Sequence, residues 1–295
     1  MNAATDVFAA PPPIPPAPPA PVRAPGVGEA IGLLALYFAL QLAVGFTAGS
    51  LVGLVVGMRI GFAHGGAKTG GDHTLHALQV AMSNPDLRTG VTAATLLIAA
   101  SVTLWIVHRR WPRQWRLAQA WQGFGFAPSS SVAFYAAALA LGVAVPVIGG
   151  MLTHLLAGSH PVTQSIAQMG QSASLGGRVV LALSAVTLGP LVEEALFRGV
   201  LFSSLLGFRQ RQAMLPAVGN ARIVLAIGLS ALLFGMVHLP DLGWRWYAVP
   251  NLALLGIGCA WLRLKSGSLW PAVMAHGINN LLAVAGWFVM THPPG

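Results

Sequence analysis

The sequence predicts an all-α fold, a polytopic transmembrane helical bundle of about seven spans, and three observations carry that expectation. Hydrophobic residues make up 55% of the chain and charged residues only 8%, too few charges to cover the water-facing surface of a 295-residue globule. The apolar residues are gathered into runs near the ~20 residues that cross a bilayer as a helix. The basic residues lie between those runs, so the net charge of +9 reads as topology information and not as a nucleic-acid-binding surface. The expected surroundings are a lipid bilayer, with no nucleic-acid partner.

Residues 1–28 form a proline-dominated leader containing Pro11-Pro12-Pro13, Pro15-Pro16, Pro18-Pro19, Pro21 and Pro25. Such a stretch favours extended, solvated backbone and is expected to be disordered. It lacks the basic start and short apolar core of a cleaved secretory signal. The spans are then expected at Ala30 to Met58, Thr89 to Val107, Ser131 to Leu156, Val179 to Leu206, Ile223 to Leu239, Ala248 to Leu264 and Leu269 to Met290. Gly189-Pro190 interrupts the fourth, where a proline inside a helix removes one backbone bond and predicts a kink. Residues 29–177 thus hold three spans with two long outer loops, 59–88 and 157–177, and residues 178–290 hold the remaining four spans.

Alternate loops differ in basic residues. Arg23, the loop with Arg109, Arg110, Arg113 and Arg116, the loop with Arg209, Arg211 and Arg222, and the loop with Arg263 and Lys265 place ten on one side, against five on the other. The positive-inside rule then puts the N-terminus in the cytoplasm. Cys259 is the only cysteine, which excludes a disulfide within the chain and fits a packed core thiol. His73 and His76, three apart in the first outer loop, read as solvated histidines and not as metal ligands.

Against this apolar background the stretch Leu191-Val192-Glu193-Glu194-Ala195-Leu196-Phe197-Arg198 is anomalous. It holds two of the seven acidic residues of the chain, and an ionised side chain at the bilayer centre costs roughly 2.5–3.5 kcal/mol on insertion scales. Glu194 and Arg198 are four apart, on one helical face within ion-pair reach, whereas Glu193 points ~100° away and has no partner on its own helix. Two more spans carry polar pairs at the same spacing, Phe234 with His238 and His276 with Asn280. A carboxylate beside an imidazole can hold a water and take its proton. An imidazole and an amide can donate to the oxyanion of a tetrahedral intermediate. The same residues also admit a second chemistry, in which Glu193, His238 and His276 ligate zinc.

At ~1.5 Å per residue these groups lie between ~10 and ~24 Å along their spans, so their meeting is plausible from depth but not required by it. Gly-x-Ser-x-Gly, His-Glu-x-x-His and Gly-x-Gly-x-x-Gly patterns are absent, which turns the reading away from nucleophilic and nucleotide-dependent chemistry. Two other classes compete. A non-enzymatic immunity or scaffold protein would keep the polar cluster for helix packing, and a proton-coupled carrier would use it as a relay. No internal repeat supports the carrier.

The motifs Glu193-Glu194-x-x-x-Arg198, Phe234-x-x-x-His238 and His276-x-x-x-Asn280, with Phe197-Arg198-Gly199 and Ser268-Leu269-Trp270-Pro271 around them, resemble the CAAX prenyl endopeptidase and bacteriocin-processing (Abi) family of intramembrane proteases. The resemblance covers residues 178–290. It implies that Glu193 activates water with His238, that His276 and Asn280 stabilise the oxyanion, and that Glu194 and Arg198 are structural, with Phe234 beside them. It also implies a conical cavity open to the cytosol and toward lipid, and a peptide or membrane-protein substrate. Members have been described as glutamate-dependent and as metalloproteases, so the cofactor is either none or zinc. The Ala, Gly, Pro and Arg-rich composition reads as a high-GC bacterial genome, hence a bacterial cell membrane and a substrate that is not prenylated.

Overall fold

The computed structural model describes residues 24–63, 71–120, 122–158, 165–207 and 219–289. Among them the chain is 84% helical and has no strands, and seven helices are long and apolar enough to cross a membrane. In chain order these are α1 (Val27–Ala63), α3 (Pro85–Arg110), α4 (Ala133–Ala157), α6 (Leu175–Gly207), α7 (Asn220–Val237), α8 (Val249–Ser266, entered through a 3-10 turn at Trp246–Ala248) and α9 (Trp270–Val289). The expected spans are therefore met one for one. Most of the leader, residues 1–23, lies outside the described residues, and its last part enters α1 at Val27.

The two outer segments expected as loops are partly helical. α1 runs on to Ala63, and a separate helix, α2 (Gly71–Ser83), follows; α5 (Ser165–Ser172) occupies the second segment. Leu75, Ala77, Leu78, Ala81 and Met82 are good helix formers that outweigh the flanking glycines of the first segment. His76 is exposed on α2, while His64, His160 and the side chain of His73 lie outside the described residues.

α6 is the hub. It touches α1, α3, α7, α8 and α9, and 44% of its apolar window is buried against 22–39% in the other six spans. That shielding is how a helix with two acids and an arginine is accommodated. Two glycines permit the close approach around it. A side chain at Gly256 would stand 2.9 Å from Ala231 and from the Arg198 guanidinium, and one at Gly277 would stand 2.7 Å from the Val186 carbonyl; small residues of this kind let membrane helices pack backbone to backbone.

Polar fastenings secure both ends of the bundle. At one end Asp86 Oδ1 accepts the Ser174 N–H at 2.8 Å, and Arg178 donates to the carbonyls of Ala173 at 2.9 Å and Trp287 at 3.1 Å, joining α3, α5, α6 and α9. At the other end Glu29 pairs with Arg110 at 3.0 Å. Arg263, counted above as a topology charge, is fully buried there and donates to Ala118 O at 2.6 Å and Gly123 O at 2.7 Å. It is a clamp on the segment between α3 and α4, because a guanidinium carries enough donors to gather several loop carbonyls. Removing it from the charge count leaves nine basic residues against five. Cys259 is buried, with its thiol 3.6 Å from the Ala272 carbonyl, as a core thiol should be.

Candidate active site

α6 does not simply kink at Pro190. It widens into π-type turns at Ser184–Leu188 and again at Ala195–Leu201, on either side of the short α-helical piece Gly189–Glu194 that carries both acids. Wide turns of this kind are rare and concentrate at functional sites. In the first of them Gly189 N–H bonds to Ser184 O, five residues back. The next residue, Pro190, has no N–H to continue the pattern, which frees the Ala185 carbonyl. Asn280 fills that vacancy from α9, donating its Nδ2 at 2.8 Å, while its Oδ1 accepts from Asn279 at 3.2 Å.

The adjacent acids have separate surroundings. Glu194 is fully buried, pairs with Arg198 Nη1 at 3.1 Å one turn on, and with the same Oε1 meets His276 Nδ1 at 2.9 Å. The rest of the buried guanidinium faces aromatic rings, with its carbon 4.5 Å from the Phe234 centroid and 5.7 Å from that of Phe197, a cation–π arrangement that partly replaces lost hydration. Glu193 instead faces a cavity of about 370 Å³ that His238, His276 and Asn280 also line. Its Oε2 is 3.8 Å from His238 Nε2 and 3.8 Å from His276 Nε2.

Both imidazoles are held through their other nitrogen. His238 caps the end of α7, and its Nδ1 lies 2.7 Å from the Phe234 carbonyl. A carbonyl only accepts, so Nδ1 carries the hydrogen and Nε2 of the neutral ring presents a lone pair to Glu193. His276 is oriented in the same sense by Glu194. Phe234 fixes the spacing of the two rings: its centroid is 4.8 Å from that of His238 and 5.5 Å from that of His276.

The three helices thus bring Glu193, His238, His276 and Asn280 around one cavity, with Glu194, Arg198 and Phe234 directly behind them. Sequence reasoning missed two features. Glu194 orients His276 as well as pairing with Arg198, and Tyr37 of α1 lines the same cavity. No motif marks Tyr37; the only signal was an isolated tyrosine in an apolar span. As for zinc, no group of three His, Cys, Asp or Glu among the described residues stands in metal-holding geometry. The steps proposed for the site accordingly use the protein's own groups.

Fold and site together define an integral membrane protein with a shielded glutamate–histidine centre. Residues 175–282 match the model of a family described as type II CAAX prenyl endopeptidase Rce1-like, and every residue of the centre falls within that stretch. No curated protein and no solved structure matches the chain. The matched family is one of CAAX prenyl endopeptidases, and α1, α3 and α4 lie outside the matched stretch.

Proposed function

We propose that the protein is an intramembrane endopeptidase that hydrolyses membrane-associated protein or peptide substrates with a glutamate-activated water. The observation that carries this reading is the pair of 3.8 Å approaches to Glu193 Oε2 from two differently tethered histidines. That separation is too long for a direct hydrogen bond and suits one bridging water. Glu193, assisted by the bare Nε2 of His238, takes a proton as the water oxygen attacks the scissile carbonyl carbon. The tetrahedral oxyanion is met by the second amide hydrogen of Asn280 and by Nε2–H of His276. Because the Nδ1 hydrogen of His276 is committed to Glu194, this donor role requires the doubly protonated ring. Collapse of the intermediate breaks the C–N bond, and the proton held by Glu193 passes to the departing amine. General-base assistance of this type is worth ~10²–10⁴-fold, and each oxyanion donor ~2.7–4 kcal/mol.

The substrate we infer is an unprenylated segment in a bacterial cell membrane. The test is cleavage of a quenched fluorescent peptide library, with prenylated and unprenylated members, by the purified protein in detergent. Wild type is compared with Glu193→Gln, each with and without a strong chelator. Activity that survives chelation and disappears in Glu193→Gln is expected. Equal cleavage by both proteins would remove Glu193 from the mechanism, loss on chelation would bring a metal back, and a polar cluster kept only for packing would make Glu193→Gln less stable without any cleavage to lose.

A further inference from the structure

Eight buried side-chain nitrogen and oxygen atoms among the described residues have no hydrogen-bond partner, and of the residues carrying them only Tyr37 lines the Glu193 cavity. Tyr37 is 2% exposed and sits on α1, outside the family-matched stretch. Its ring is held in the core beside Phe38, with centroids 5.3 Å apart, and it lines the same cavity as Glu193. A hydroxyl in such a place could have been a phenylalanine edge. Leaving a buried donor unpaired is costly, and burying no polar group at all is cheaper. A donor in the cavity wall that the protein itself leaves unpaired is therefore explained by an acceptor that arrives with the substrate.

The cavity shows which acceptor. Its lining combines Tyr37 and Gln41 of α1 and Thr92 of α3 with Glu193, His276 and Asn280 from the family-matched stretch. Thr92 spends its hydroxyl on Met169 Sδ at 3.6 Å. A peptide strung across this space carries a carbonyl at every residue, and these are uncharged acceptors that a neutral phenol near a carboxylate can serve. Resting on the endopeptidase reading above, we propose that the Tyr37 hydroxyl donates a hydrogen bond to a backbone carbonyl of the substrate next to the scissile bond, making α1 the second wall of the peptide-binding cleft.

The test is Tyr37→Phe in the full-length protein. Because the hydroxyl has no partner to lose, the substitution should leave the melting temperature unchanged or slightly higher, whereas kcat/KM on a library peptide cleaved by wild type should fall about tenfold, mainly through KM. A drop in melting temperature with unchanged kcat/KM would make Tyr37 a packing residue and overturn the proposal. The two readings fail separately: cleavage that survives Glu193→Gln sinks the glutamate mechanism, and cleavage lost in Glu193→Gln yet unaffected in Tyr37→Phe sinks only the role of Tyr37. A second measurement needs no turnover. Fluorescent library peptides bound by Glu193→Gln protein should bind about tenfold more weakly when Tyr37→Phe is added, and an equal Kd overturns the assignment.

Discussion

Asn280 donates its side-chain amide across 2.8 Å to the Ala185 carbonyl, the acceptor freed because Pro190, five residues further along α6, has no N–H. A proline on one helix thereby fixes the rotamer of a polar residue on another, and with it the direction of the remaining amide hydrogen. The link between α6 and α9 thereby orients Asn280 as well as packing the two helices.

Pro190→Ala should return an N–H to the wide turn and compete with Asn280 for the Ala185 carbonyl. The expected result is a folded protein with cleavage reduced about tenfold or more. Asn280→Ala should reduce cleavage further and cost about 1–3 kcal/mol of stability by leaving the carbonyl unpaired. In a double-mutant cycle the two losses should be strongly non-additive, and full additivity would mean that Pro190 does not act through Asn280.

Glu193 and Glu194 are neighbours with opposite expected behaviour. Glu194→Gln leaves the buried Arg198 cation without its counter-charge, and breaking such a pair costs about 3–5 kcal/mol; it also releases His276. Thermal unfolding in detergent should therefore show a large loss for Glu194→Gln and for Arg198→Met, and little change for Glu193→Gln, which has no ion pair to a permanent cation. Equal stability of the Glu193 and Glu194 variants would show that the buried pair is not what holds α6.

The cavity reaches from Glu193 toward the end of the bundle where Thr92, Met169, Asp241 and Trp287 line it, while Arg109, Arg110, Arg113, Arg116 and Arg263 belong to the opposite end. The charge distribution and the cytosolic opening implied by the resemblance therefore point in opposite directions. Following the charges, we expect the cavity to face away from the cytoplasm. In a Cys259→Ser background, Trp246→Cys, an exposed position at the cavity end, should react with an impermeant maleimide on intact cells, and Arg113→Cys only after the cells are opened. The reverse pattern would place the cavity on the cytoplasmic side.

The class of fold and the number of spans were legible in the chain, and so were the seven residues that packing gathers about the cavity, as anomalies in apolar spans, because each rests on local physics. Hydropathy decides what a bilayer accepts, and i, i+4 spacing decides which side chains on one helix are neighbours. The helices at Gly71–Ser83 and Ser165–Ser172 are not legible in the sequence, because glycine and polar residues mask short runs of good helix formers. The tertiary structure alone decided the rest. Depth along separate helices could not say that His238 and His276 would stop at equal distances from one oxygen of Glu193, since that depends on how tilted helices cross. Nor could spacing reveal that Glu194 serves two partners, that Arg263 is a buried clamp, or that Tyr37, with a buried and unpaired hydroxyl, lines the cavity. Those relations join residues far apart in the chain, and only the packing of the helices brings them together.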